Sequence, residues 1–464
     1  MGGGTAAVGV GAWRAACACI LLLCGRIVAA QGGGVENVRF RNYATEHGLS
    51  QLTVRAIAQT TPGYLWFGTQ DGLNRFDGYS FRVYRHDGAD PASLPDNHVF
   101  ALAGTTDGAL WVAGQTGGLA RYDPQIDGFV RYARVPGDTG TLASDRITAL
   151  RVDRRGVLWI GTREGALQRL APGAAARFET HALAGAGERG GPVRALHERA
   201  DGSMLVGAEH GLWHCSAAGD CAREWRDGDE PLDVYALAES GSGEVWVATA
   251  REGLVRFDVE GRAIGRVRTG EGGGDGLAHD DTRALLFDAR GRLWVGTDRG
   301  LSRFDSVEGP VRTWLHEAAV DDSLASNRVY ALFEGREQLV WVGTWLNGVS
   351  MFDPRTEAFG ELRSEAGNPA TLPTGVVRAV AADADGTLWL GLLEGGGLVH
   401  FDPARGVIAR YTHDPDDPDS LSSNNVQYIT RARDGALWIG TNGGGLDRLR
   451  PEGGFEHFRR RRAD

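Results

Sequence analysis

One short phrase recurs along the whole chain: LWFGT from Leu65, LWVAG from Leu110, LWIGT from Leu158, MLVGA from Met204, VWVAT from Val245, LWVGT from Leu293, VWVGT from Val340, LWLGL from Leu388 and LWIGT from Leu437. Its aromatic residue stands at Trp66, Trp111, Trp159, Trp246, Trp294, Trp341, Trp389 and Trp438, with Leu205 taking the place once, at spacings of 41 to 49 residues. Self-similarity at that period means one supersecondary unit per repeat, and such a unit must bury its faces against its neighbours.

The pieces of each unit keep a constant order. A short apolar segment comes first, as at Val99, Ile147 or Val329, followed by a turn such as Asp107-Gly108, Arg155-Gly156 or Asp434-Gly435. The LWxGT run follows, then a Gly-Leu turn into an alternating segment such as GLNRFD from Gly72 or GLSRFD from Gly300, and an aromatic-rich stretch closes the unit, as at Phe81 and Phe129. Alternation marks half-buried strands, and glycine pairs supply the positive φ of hairpin turns, so each unit reads as four short antiparallel strands. Units of this kind are the blades of a β-propeller, and the fold class is all-β. The first strand of each blade should line the central channel, and the Trp of the second should pack between blades. The glycine two residues after it allows a close approach there. The Asp of the RFD-type segments, at Asp77, Asp258, Asp305 and Asp353, is expected to hold its local turn.

Nine units exceed the four to eight blades of one propeller. A segment resembling a fourth strand, VRFRNY from Val38, stands before the first unit with no three strands ahead of it. Letting it complete the seventh unit closes a ring over residues 31–355. The eighth and ninth units, residues 356–464, then begin a second propeller, and the chain reads as a shortened form of something longer. A single ring of eight or nine blades is the alternative.

Residues 1–30 read as an export signal: Arg14, an apolar stretch from Ala15 to Cys24, and small residues Val28, Ala29 and Ala30 before Gln31. The stretch falls short of the roughly 20 apolar residues of a membrane span. Three of the 5 cysteines lie within it. The other two, Cys215 and Cys221, flank five residues in CSAAGDC, a spacing that lets a hairpin close as a disulfide in an oxidising, periplasmic compartment.

Composition narrows the function. All 49 basic residues are arginine, so Schiff-base and P-loop lysine chemistry is excluded, and the formal charge of -11 argues against a nucleic-acid partner. The 12 histidines show no HExxH or His-x-His spacing, and there is no GxSxG elbow. No catalytic residue, metal site or cofactor is expected.

The stretch from His47 to Tyr84, HGLSQLTVRAIAQTTPGYLWFGTQDGLNRFDGYSFRVY, resembles the first blade of the two-component regulator propeller family. HDPDDPDSLSSNNV, from His413 to Val426, is similar to that family's blade-to-blade connector, with looser copies at His86, His316 and Ser364. The likeness runs from about residue 38 to 458. It implies the periplasmic sensor half of a hybrid histidine kinase or diguanylate cyclase. Neither an immunoglobulin-like segment, a second span nor an output-domain motif is found, so contact with the membrane would come only through missing carboxy-terminal segments.

A ligand would meet the loops that precede first strands and those that join second to third strands, which emerge on one face. The first set offers Asn97, His98, Asp145, Arg146, Asp281, Asn327, Arg328, Asn424 and Asn425. The second offers Gln70, Gln115, Arg163, Glu164, Arg251, Arg299, Trp345 and Asn347, with Trp345 placed as an aromatic platform. The expected partner is a small molecule or an extracytoplasmic protein, bound without catalysis. A propeller lyase or hydrolase with residues from several blades is the alternative.

Overall fold

A computed structural model describes residues 38–459, apart from 106, 174–176, 184–190, 226–231, 271–275, 307, 308, 310, 359–363, 365, 366 and 404. The export signal and its three cysteines lie outside the described residues. Among those described, the chain forms nine four-stranded antiparallel sheets, an all-β propeller architecture with two short 3-10 turns. No helix among them is long and apolar enough to cross a membrane.

The chain divides into two compact units, Val38–Glu357 and a unit that includes Ala358–Asp464. The first holds sheets 1 to 7. Their first strands are Val54–Gln59, Val99–Gly104, Ile147–Val152, Val193–Glu198, Val234–Glu239, Thr282–Phe287 and Val329–Glu334. Each of these strands neighbours the next, and the seventh neighbours the first. The strand Phe40–Tyr43 completes sheet 7 by pairing antiparallel with Val349–Phe352, Phe40 facing Phe352. Asn42 reinforces the seam, accepting from the Ser350 hydroxyl at 2.7 Å.

Packing between sheets follows from the repeated phrase. Trp66, Trp159, Trp246 and Trp294 are fully buried. Each lies against an aromatic ring of the following sheet where one exists, as Trp66 against Tyr122 at 4.8 Å and Trp294 against Phe352 at 5.4 Å. The adjacent glycine is required by closeness: a Cβ at Gly296 would stand 2.5 Å from Val329 Cγ1. Burying one such aromatic against its neighbour is worth several kcal/mol, which is why the phrase sets the architecture.

Asp77, Asp258 and Asp353 accept backbone amides of their own turns, for example Tyr79 and Ser80 onto Asp77 at 2.8 Å each. Asp305 instead pairs with Arg303 at 2.7 Å. Sheet 4 carries a hairpin closed by the disulfide Cys215–Cys221, whose residues face each other across the Gly211–Cys215 and Cys221–Trp225 strands.

The second unit holds sheet 8, with first strand Val377–Ala382, and sheet 9, with first strand Val426–Arg431. Its core gathers Trp389, Leu398, Leu421, Val426 and Ile439. Val377, Val380 and Tyr428 on the first strands are 41%, 58% and 68% exposed, whereas Val54 and Val329, which open first strands in the ring of seven, are wholly buried.

Candidate functional site

Every first strand slips register between its first and third residues. A β-bulge leaves the intervening residue outside the ladder and re-aims its side chain. In sheets 1 to 7 that residue is Arg55, Phe100, Thr148, Arg194, Tyr235, Arg283 and Tyr330.

Six of these side chains meet at one end of the strands. The Arg55 guanidinium lies 4.9 Å from the Phe100 ring centre, 5.3 Å from Tyr330 and 5.3 Å from Trp345. Arg283 lies 5.3 Å from Tyr330 and 4.9 Å from Tyr235, and Arg194 continues the series at 4.5 Å from Tyr235. The result is an arc of alternating cations and aromatic faces at that end of the first strands.

Two of the three cations are neutralised. Arg283 donates to Asp281 at 2.8 Å, and Arg194 pairs with Asp233 and, at 3.3 Å, with Glu209. Arg55 has no carboxylate partner among the described residues, and its Nε is buried without a hydrogen bond. Burial, assisted by the nearby Arg283 charge and opposed by Tyr330, holds the Arg55 guanidinium below its ordinary pKa. Burial likewise raises the Asp281 carboxyl, against the pull of Arg283. His98, 5.1 Å from Phe100, is held low by burial and by the Arg55 charge.

The polar residues picked out from the sequence fall into two groups. Asn97 and Asn327 are occupied as clamps, accepting the His86 and His316 amides at 2.6 Å each, and Asp145 accepts the Arg134 amide at 2.7 Å. Asn424 does the same for His413 in sheet 9, at 2.6 Å. These side chains hold the blade-to-blade connector. Asn347 is also anchored, donating to the Ala325 carbonyl at 2.6 Å.

The residues that follow the clamps behave differently. Carbonyls of His98, Arg146, Asp281 and Arg328 accept amides from the second-to-third turns, at Gln115, Arg163, Asp298 and Trp345. These bonds bring the two loop sets to the same end, and Asn425 accepts from Asn442 in sheet 9 in the same way. His98, Asp281 and Trp345 thereby reach the arc. Arg146 pairs with Glu164 at 3.6 Å, and Arg328 with Asp298 at 3.4 Å. Arg299 donates its amide to Thr297, while Arg163 and Arg251 are exposed and Gln70 is half-buried. The bulged residues themselves lie inside strands, so a search among polar loops passes them over. An arginine or aromatic directly after the opening residue of six of the seven first strands was the available sign.

Among the described residues no group of three or more His, Cys, Asp or Glu is placed to hold a metal ion. The arrangement offers stacking surfaces and hydrogen-bond donors.

The family described as two component regulator propeller matches residues 141–164, 276–299, 323–346 and 420–443. Each matched segment runs from the connector through the LWxGT strand. A histidine kinase of Formosa agariphila is 44% identical over 59 residues, 13% of this chain and 4% of that protein. Among solved structures, the extracellular domain of a hybrid two component system of B. thetaiotaomicron superposes with a TM-score of 0.69 at 23% identity, over 89% of this chain and 54% of that one. A virginiamycin B lyase from Staphylococcus aureus shares the fold at 12% identity and a TM-score of 0.52, over 68% of this chain and 98% of that one. The chain thus spans about half the length of the extracellular domain and a small part of the kinase. Four of its nine repeats thus match the two component regulator propeller model, and all nine are carried on an all-β propeller fold.

Proposed function

We propose that this chain is an exported, periplasmic sensor domain that binds a small molecule at the channel mouth of Val38–Glu357 and reports occupancy to a histidine kinase or diguanylate cyclase output. On this reading residues 31–355 make a seven-bladed propeller and residues 356–464 begin a second. The observation that supports it is the arc around Arg55: an uncompensated guanidinium with a free Nε, set among Phe100, Tyr330 and Trp345. Stacking on such faces suits a ring-bearing ligand, and a half-buried cation without a carboxylate partner favours a ligand with a hydrogen-bond acceptor. An extracytoplasmic protein loop presenting the same groups is a second possible occupant of the mouth.

The test is a thermal-shift screen of neutral and acidic sugars and aromatic acids against the purified chain. A ligand should raise the melting midpoint, and Arg55→Gln and Trp345→Ala should each abolish that shift. A ligand whose shift survives both substitutions binds elsewhere, and the assignment of the mouth then fails.

A further inference from the structure

At the opposite end of the first strands a second pattern repeats. In four of sheets 1 to 7 the last residue of the first strand reaches back to the first turn of the preceding sheet, whereas Gly104, Val152 and Phe287 end the other three with no polar side chain. Glu198 accepts the Arg154 amide at 3.0 Å, Glu334 accepts the Ala289 amide at 2.9 Å, and Gln59 accepts the Arg336 amide at 2.9 Å. Glu239 accepts the Ala200 amide in the same manner. These contacts latch adjacent sheets together.

Between sheets 2 and 3 the latch position is Val152, which has no group to offer. At that boundary lies a cavity of about 890 Å³, a volume suited to a small organic ligand. Trp111, Tyr132, Leu158 and Pro172 give it apolar walls, and Arg121, Arg151, Arg154 and Arg155 also line it.

The acids around it are already engaged. Asp107 pairs with Arg121 at 2.9 Å, and Asp153 accepts from the Trp159 indole at 3.0 Å and from the Val157 amide at 2.9 Å. Glu198 holds the Arg154 amide. Arg151 is left with no hydrogen-bond or ion-pair partner among the described residues. Arg151 is exposed to solvent, so its head group is open to an incoming ligand, although the crowding around it still lowers the guanidinium below the ordinary value more than the Glu198 charge supports it.

We propose that this cavity is a second ligand site, separate from the channel mouth, and that it takes a small organic carboxylate with its acid group on Arg151 and its carbon skeleton against Trp111 and Tyr132. A bidentate guanidinium–carboxylate pair supplies the missing partner. The vacant latch position supplies the room.

The experiment is isothermal titration of the full chain with D-glucuronate and benzoate, with D-glucose and inorganic sulfate as comparators. One or both carboxylates should bind and D-glucose should not. Arg151→Gln should weaken the binding roughly tenfold or more, as expected for loss of a charged hydrogen-bond partner. Val152→Glu, which fills the vacant latch position and takes up the room there, should weaken it as well, and neither variant should lose its cooperative melting transition. Carboxylates that bind no better than D-glucose, or equally well to the Arg151→Gln protein, overturn the site. Binding of sulfate without either organic acid overturns the organic assignment.

Discussion

The indole Nε1 of Trp294 donates a 2.8 Å hydrogen bond to the Asp288 carboxylate, with both side chains buried inside sheet 6. Trp159 makes the same bond to Asp153 at 3.0 Å, and Trp66 makes it to the Thr60 hydroxyl at 2.9 Å. The Trp246 and Trp341 indole nitrogens are buried without a hydrogen-bond partner, but in sheets 1, 3 and 6 the repeated Trp does two things at once. Its ring fills the space between sheets, and its nitrogen fixes the turn that leads into its own strand. Replacing Trp294 by Ala should cost about 3–5 kcal/mol as a large-to-small core change. Replacing it by Phe keeps most of the ring but leaves a buried carboxylate short of a donor, and should cost about 1–3 kcal/mol. Urea unfolding of the two variants measures both, and a midpoint unchanged in Trp294→Ala would remove the residue from the core.

Glu334 makes its contact across a sheet boundary, so its loss tests the latch directly. Glu334→Ala hands the exposed Ala289 amide to water and should lower stability by about 0.5–1 kcal/mol. Thermal unfolding at neutral pH reads the effect, and a variant as stable as the parent would show the latch to be idle.

His98 couples the channel mouth to acidity. Its folded pKa lies below the ordinary value, through burial first and the Arg55 charge second. A histidine kept neutral in the folded state contributes stability above its unfolded pKa, and that contribution is lost as pH falls from about 6.5 towards the lower folded value. His98→Gln should therefore lose less of its melting midpoint between pH 7.5 and 5 than the parent loses. Parallel curves for the two proteins would contradict the coupling.

The Cys215–Cys221 bridge closes a short hairpin in sheet 4. Cross-linking so few residues removes little chain entropy, so reducing it should cost only about 2 kcal/mol. The comparison to make is the unfolding midpoint with and without a reductant, alongside the Cys215→Ser/Cys221→Ser double variant. Failure of the reduced chain to fold would mean that sheet 4 depends on the bridge for more than loop closure.

The scaffold was legible because it is written in period and alternation. LWxGT marks a buried strand wherever it occurs, and VRFRNY without its three companions already called for a partner, which Val349–Phe352 supplies. The mouth was legible only in part. Asn97, Asp145 and Asn327 attract notice as polar loop residues, yet the fold spends their side chains on backbone amides. Arg55, Tyr235 and Tyr330 sit inside apolar strands, and only the bulge, a property of pairing register, turns them toward one another. A side chain's direction at a bulge depends on the partner strand, and local sequence does not carry it.

The bond between Asn42 and Ser350 spans 308 positions of sequence. A chain that emerges amino terminus first must carry Phe40–Tyr43 unpaired while sheets 1 to 6 assemble, and it can zip that strand home only once residue 352 has been made. Contacts of such long range form slowly, because the intervening loop has to be closed before they contribute anything. Sealing is thus the last event of the ring's birth, and a protease that removes the unpaired Phe40–Tyr43 segment before then leaves a row of blades with nothing to hold its two ends together.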